Sequence, residues 1–332
     1  MATEPAPSEE VSHQPERGSG GKEILLAALA SAFLFASFLV LPLAGSLALP
    51  LVAVPSVRLT HRRGLPAGLA AACLAVAGLA ALSLATAGGT EAAMLAFVGA
   101  AVTALPATAA AAVRRGLRPS LAYLGLCVAG SALLAGGLLA RSESEGRPMQ
   151  REIAAAFDQM TQAVQSNTQA GGDGEAAARL KATLSGARDF AEKFWAGLVG
   201  ASWVIGAAIG FYAGARWARP APSAEATRFE RLSVPAPVVA LFVAAGAGLA
   251  LAPHPAREVA GNLLLPLASL YFVAGLSIIC HVARKWFRGR ILRVGLYALA
   301  IYFPVSIGVG LLGLFDWYAD FRRRGEGAIE KS

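Results

Sequence analysis

"GNLLLPLASLYFVAGLSII", Gly261 to Ile279, runs for nineteen residues without a charged side chain. As a helix it is long enough to cross the hydrocarbon core of a bilayer, which takes about 20 predominantly apolar residues. Runs of this kind recur along nearly the whole chain of 332 residues. They predict spans at residues 65–86, 91–113, 119–140, 192–215, 235–252, 259–282 and 294–315. Only 15% of the residues are charged and 56% are hydrophobic. An ordinary soluble domain is about one quarter charged, so this chain has too few charges to cover a water-facing surface. The expected fold is all-α: a polytopic transmembrane helical bundle of about eight to nine spans, carrying an amphipathic helical extramembrane insertion.

The first apolar stretch, residues 24–57, is too long for one simple span. "LPLAGSLALP", Leu41 to Pro50, interrupts it with prolines and a glycine. Proline costs roughly 3 kcal/mol in a helix interior. Two short spans, 24–41 and 45–58, are therefore expected, with one long kinked helix as the alternative.

Net charge is +8, but the basic residues sit in short loops, which marks topology rather than nucleic-acid binding. Arg58, Arg62 and Arg63 share one loop, and Arg114, Arg115 and Arg118 another. Arg216, Arg219, Arg228 and Arg231 follow, then Arg284, Lys285, Arg288, Arg290 and Arg293. Such loops stay in the cytoplasm, so a multi-pass membrane protein with these loops inside is expected, with its amino terminus inside too if the first stretch is a hairpin. A full crossing by 294–315 would carry Arg322 to Arg324 outside, unless Pro304 breaks that span. The first 23 residues hold five glutamates against Arg17 and Lys22, which is no signal-peptide n-region.

Residues 141–191 interrupt the bundle. Ile153, Phe157, Met160 and Val164 recur at helical spacing, "SNTQAGGDGE" breaks the pattern, and Leu180, Leu184, Ala187, Ala191 and Phe194 resume it. Two amphipathic helices outside the membrane are expected, each with an apolar stripe to place on headgroups, on the mouth of the bundle or on a partner. The chain thus divides into a tail 1–22, a first helix group 23–140, the extracytoplasmic helices 141–191, a second helix group 192–317 and a polar tail 318–332.

No catalytic motif is present: HExxH, GxSxG, Walker A and GxGxxG are all missing. Cys73, Cys127 and Cys280 lie in apolar runs, and the four histidines are scattered. No metal, no cofactor and no enzyme activity is expected. "GAAIGFYAG" sets Gly206, Gly210 and Gly214 on one helix face, suited to close packing within the bundle in preference to a dimer seam. Asn262 and Tyr271 are polar groups inside a span, and such groups mark pathways or binding sites. Asn262 would otherwise cap its helix. Together with Trp203 they form the candidate ligand-binding set. In "GLFDWYADFRRR", residues 313–324, Asp316 and Asp320 share a helix face beside Trp317 and Tyr318. These aromatics suit headgroup depth, so an anchor is preferred to catalysis, with a latch of Asp316 onto an arginine also open.

That last stretch resembles the end motif of the YybS-like family of uncharacterised bacterial membrane proteins, a domain of unknown function. The resemblance rests there on Gly313, Leu314, Asp316, Trp317, Asp320, Phe321 and Arg322. "LALPLVAVPSVRLTHRRGLPAG" adds Pro50, Pro55, Arg63, Gly64 and Gly68, and the opening stretch adds Asn262 and Gly275. The resemblance covers residues 23–324. It supplies no catalytic residues, because the family has no settled activity. It implies a distant similarity to the S components of energy-coupling factor transporters, small bundles that hold a vitamin or metal ion near the outer face. The expected function is therefore small-molecule binding or transport, with the pocket near Asn262 and Trp203 beneath the insertion. An ATPase would then be a partner, besides the lipid bilayer. The alternative is a non-enzymatic scaffold that recruits envelope or assembly partners. Fold does not fix which.

Overall fold

A computed structural model gives the structure and describes residues 20–40, 48–86, 89–146, 148–169, 174–219, 221–287, 289–302 and 304–319. Among them the only regular structure is helical. The longer helices are α1 (Gly20–Val40), α2 (Val54–Arg63), α3 (Leu65–Thr86), α4 (Gly89–Arg114), α5 (Pro119–Ser144), α6 (Met149–Gln169) and α7 (Gly174–Ala218). They continue through the short α8 (Pro222–Ala226) to α9 (Ala236–Leu251), α10 (Ala256–Trp286), α11 (Arg290–Ile301) and α12 (Val305–Ala319).

Six of these helices are long and apolar enough to cross a membrane: α1, α3, α4, α5, α7 and α10. The bent pair α11–α12 makes a seventh if it counts as one span. Among the described residues six to seven helices thus qualify, where about eight to nine spans are expected, and three expected spans fall short when each helix is taken singly. The described part of the expected span 45–58, residues 48–58, is not one helix of lipid-crossing length. A 3-10 turn at Leu49–Leu51 is followed by α2, only ten residues long and ending in His61, Arg62 and Arg63. Val52, Val54 and Val57 of this segment are buried in protein. Apolarity alone does not distinguish a segment wrapped in protein from one facing lipid. The second expected span, 294–315, is two helices bent by 94° around Tyr302–Pro304. Their lengths of 12 and 15 residues each fall short of a bilayer. α9, with 16 residues, is also short.

Direct contacts collect the basic segments at one end of the bundle. Glu23 of α1 pairs with Arg63 of α2 at 2.7 Å, so α1 and the returning segment 48–63 form an antiparallel hairpin. Arg114 donates to the Thr60 carbonyl at 2.7 Å, and His61 Nδ1 lies 2.9 Å from the Ser223 hydroxyl. The Ser233 amide reaches Ser120, and Arg284 pairs with Glu230. Loops 58–63, 114–118, 216–231 and 284–293 therefore share a face.

α7 is the central element, packing on α2, α5, α6 and α10. Its inner half carries Phe211, stacked on Tyr123 of α5, and Tyr212, tilted against the same ring, in the main core. The Tyr123 hydroxyl donates to the Val204 carbonyl at 2.8 Å. The outer half of α7 leaves the bundle and pairs with α6 as a helical hairpin. Arg188 bridges the two helices through Asp158 at 2.8 Å, and also holds Glu192 at 2.7 Å. α6 packs chiefly on α7 and only touches α5.

α10 and α12 cross antiparallel with their backbones in contact. A Cβ on Gly275 would enter the Val309 carbonyl, and one on Gly313 would enter the Tyr271 carbonyl. Small residues at a membrane crossing allow this approach. α12 thus runs from the basic end toward the opposite end.

Candidate functional site

A cavity of about 590 Å³ lies between α4, α5, α7 and the turn that starts the returning segment. The turn contributes Leu49, Pro50 and Ala53, and α4 contributes Met94, Val98, Val102 and Pro106. Leu134 and Leu138 of α5 face Leu198, Val199, Ser202, Trp203, Gly206 and Ala207 of α7. The wall is almost wholly apolar. Among the described lining residues the only side-chain hydroxyl belongs to Ser202, and the Trp203 indole N–H is already committed, donating to the Leu126 carbonyl at 2.9 Å. Pro50 and Pro106 keep the backbone around the space irregular or rigid. A pocket of this size is typical for a small-molecule ligand. Its chemistry suits a molecule that is mostly hydrocarbon.

Of the residues singled out in the sequence, Pro50, Trp203 and Gly206 line this cavity, and Asn262 and Tyr271 do not. None of the described residues of 141–191 lines it either, so the insertion does not roof it; it projects as a hairpin with α7. Trp203 is held by shape as well, since its indole fills the notch left by Gly130.

Asn262 has a structural task. The backbone of α7 departs from helical geometry at Phe194, with φ −119° and ψ 23°. Asn262 accepts from the Gly197 amide at 2.7 Å and donates to the Lys193 carbonyl at 3.1 Å. Those two groups would pair with each other in an unbroken helix. The side-chain amide is therefore inserted into one rung of α7, and it also donates to the Glu258 carbonyl at 2.9 Å. It does not cap the start of α10. Backbone groups left unpaired in apolar surroundings each cost several kcal/mol, which explains why an asparagine stands at this bend. The crossing is close: a Cβ on Gly197 would lie 2.8 Å from the Asn262 Cα.

Tyr271 is buried, edge-on to Phe242 at 5.2 Å between ring centres. Among the described residues its hydroxyl has no hydrogen-bond partner. Gly210 and Gly214 press against the returning segment, where a Cβ would lie 2.8 Å from Ala53 and 2.6 Å from Val57. Pro50 and Pro55 are half-buried in that same segment, and Gly64 ends α2 with φ 101°, a conformation that favours glycine. Asp316 is half-buried one turn beyond Gly313, while Trp317 and Tyr318 are 59% and 82% exposed. Asp320 and Arg322 lie outside the described residues. So do the tails 1–19 and 320–332.

At the basic end, His61 is buried among Ser223, Thr60 and Arg114. Burial, and then the Arg114 guanidinium, push its imidazole down to about 4. No group of three or more His, Cys, Asp or Glu side chains suited to a metal occurs among the described residues. Trp203 was the one residue of the sequence's ligand-binding set that lies in the cavity wall, and the valines and leucines around it gave no signal because they have the composition of any span. Only the proline at 50 and the glycine at 206 signalled irregular packing there.

Fold and cavity together define a multi-pass helical membrane protein with an intramembrane apolar chamber. A family model described as "Predicted membrane protein (DUF2232)" matches residues 28–317, and the chain belongs to that family. No curated protein and no solved structure matches it.

Proposed function

We propose that this protein is a non-enzymatic, S-component-like membrane protein that binds or passes a small, predominantly apolar molecule through the cavity between α4, α5 and α7. The observation that carries this reading is the cavity itself: about 590 Å³, bounded by apolar side chains, with one hydroxyl in its wall. A water-filled polar pathway would need charged or amide groups facing the space. The positive-inside rule places the basic end in the cytoplasm of a bacterium and the α6–α7 hairpin outside. An energy-coupling ATPase would dock at the basic end. Reporter fusions test the orientation: one near Gly172 that is active only in the cytoplasm would reverse it. Organic extraction of purified protein followed by mass spectrometry tests the binding. A stoichiometric apolar molecule is expected, and a protein that is empty and binds nothing from a panel of vitamins and apolar metabolites would overturn the reading.

The exposed hairpin favours a second reading, a scaffold for envelope partners. Met160, Leu180 and Phe190 are exposed on it, and its bridging ion pairs are exposed ones, which contribute only about 0–1 kcal/mol each. Crosslinking separates the readings, because an ATPase pair supports transport and envelope-assembly proteins support scaffolding.

A further inference from the structure

α2 is buried on every side but one. Val54, Ser56, Val57, Leu59, Thr60 and His61 are buried, whereas Pro55 is half-buried and Arg58 and Arg62 are exposed. Positions 55, 58 and 62 follow helical spacing and form one stripe. That stripe borders a groove of about 320 Å³ between α1 and α2. The opposite wall is Leu26, Ala27 and Ala30 of α1, and Trp217 of α7 also lines the groove.

Charge in the groove is unbalanced. Its one carboxylate, Glu23, is answered by Arg63 at 2.7 Å. Arg58 and Arg62 have no ion-pair partner among the described residues. Among the described residues two positive charges are thus left on the groove, one helical turn apart.

Polarity also changes with depth. Glu23 and Arg62 lie at the basic end, while Ala30 and Val54 lie deeper, Ala30 about 10 Å along α1 from Glu23. Trp217 is an exposed indole at the basic end, the depth such rings favour. Beside the groove, Leu25, Leu29 and Phe33 of α1 are exposed, as on a helix face in lipid. A soluble anion would use only the arginine mouth and leave the alanine wall unexplained. An anionic headgroup joined to a hydrocarbon chain uses both, and basic pockets between membrane helices are recurrent sites for such lipids.

We propose that the groove between α1 and α2 is a binding site for one anionic phospholipid. Arg58 and Arg62 hold its phosphate, Trp217 flanks the headgroup, and an acyl chain lies along Ala27 and Ala30. The site is separate from the apolar cavity, and neither reading depends on the other. The test is native mass spectrometry of the full chain titrated with phosphatidylglycerol, with phosphatidylcholine of the same chains, and with inorganic phosphate alone. One phosphatidylglycerol should bind in preference to phosphatidylcholine. The double variant Arg58→Gln/Arg62→Gln should weaken it at least tenfold, whereas Arg115→Gln/Arg118→Gln, which removes equal charge elsewhere at the same end, should not. Ala30→Phe fills the wall without altering charge, should weaken lipid binding as well, and decides the matter if the arginine variant does not fold. Equal loss in both arginine pairs would overturn the proposal. So would full lipid binding by Ala30→Phe, or displacement of the lipid by about 10 mM inorganic phosphate.

Discussion

Three glycines on one face of α7 stand four residues apart and do different things. Gly210 and Gly214 are pressed against the returning segment, with Ala53 and Val57 where their Cβ atoms would be. Gly206, one turn further out, has no atom of the described residues within 4 Å of its Cβ position and borders the apolar cavity. The spacing is the same. What differs is the partner opposite: Pro50, Ala53, Val54 and Val57 of the returning segment meet Gly210 and Gly214, and no described residue meets Gly206 as closely. A small-residue stripe therefore states where close approach is possible, and the neighbouring chain decides whether that space is filled or left open.

The largest effect expected from this contrast is at the filled end. Gly214→Leu drives a branched side chain into Val57 and the Val54 carbonyl, and should cost about 3 kcal/mol or more. Loss of folded protein in detergent, read by size-exclusion chromatography, checks it. A well-folded Gly214→Leu protein would show that the returning segment is loosely held. Asn262→Leu comes next, at about 2–3 kcal/mol, since it strips the Gly197 amide and the Lys193 carbonyl of their partner. A thermal melt reads it. An unchanged Tm would mean that α7 simply straightens and re-forms its own rung.

His61 gives a smaller, pH-dependent term. Its imidazole is depressed to about 4 in the folded protein from about 6.5 in an unfolded chain. The neutral form is therefore the one the fold prefers, and stability is lost as pH falls through that window. Lowering the pH from about 7 to about 5 should remove roughly 2 kcal/mol, and His61→Asn should flatten that part of the profile of Tm against pH. The smallest effect is at the open end. Gly206→Phe has room for its ring and gains helix propensity, so it should leave stability within about 1 kcal/mol.

Much of the class was legible in the sequence. Long uncharged runs such as 261–279 marked helices long and apolar enough to cross a membrane, and the four arginine-rich loops do meet through Arg63, Arg114, Ser223 and Arg284. Pro304 marked the break between α11 and α12. The returning segment was not legible as such, because Val52, Val54 and Val57 have the same apolarity whether protein or lipid surrounds them. Gly275 and Gly313 stood out only through the resemblance of their surroundings to a family. Their physical reason, carbonyl oxygens of the facing helix where side chains would be, appears only in three dimensions. Asn262 was conspicuous as an amide in a span, yet its partner is a bend at Phe194 that no local pattern announces. Of the cavity only Trp203 was marked as a ligand-site residue in the sequence, since the aliphatic remainder of its wall reads as ordinary span.

The claim that the open end of the glycine stripe is a ligand site is tested most directly by comparing the wild-type chain with Gly206→Phe. Both are purified identically, melted, and extracted for mass spectrometry of bound apolar molecules. The account predicts a stoichiometric small apolar molecule in the wild type, its loss in Gly206→Phe, and a Tm that does not fall. The same molecule retained by Gly206→Phe at the same stoichiometry, or no molecule in the wild type, would contradict it.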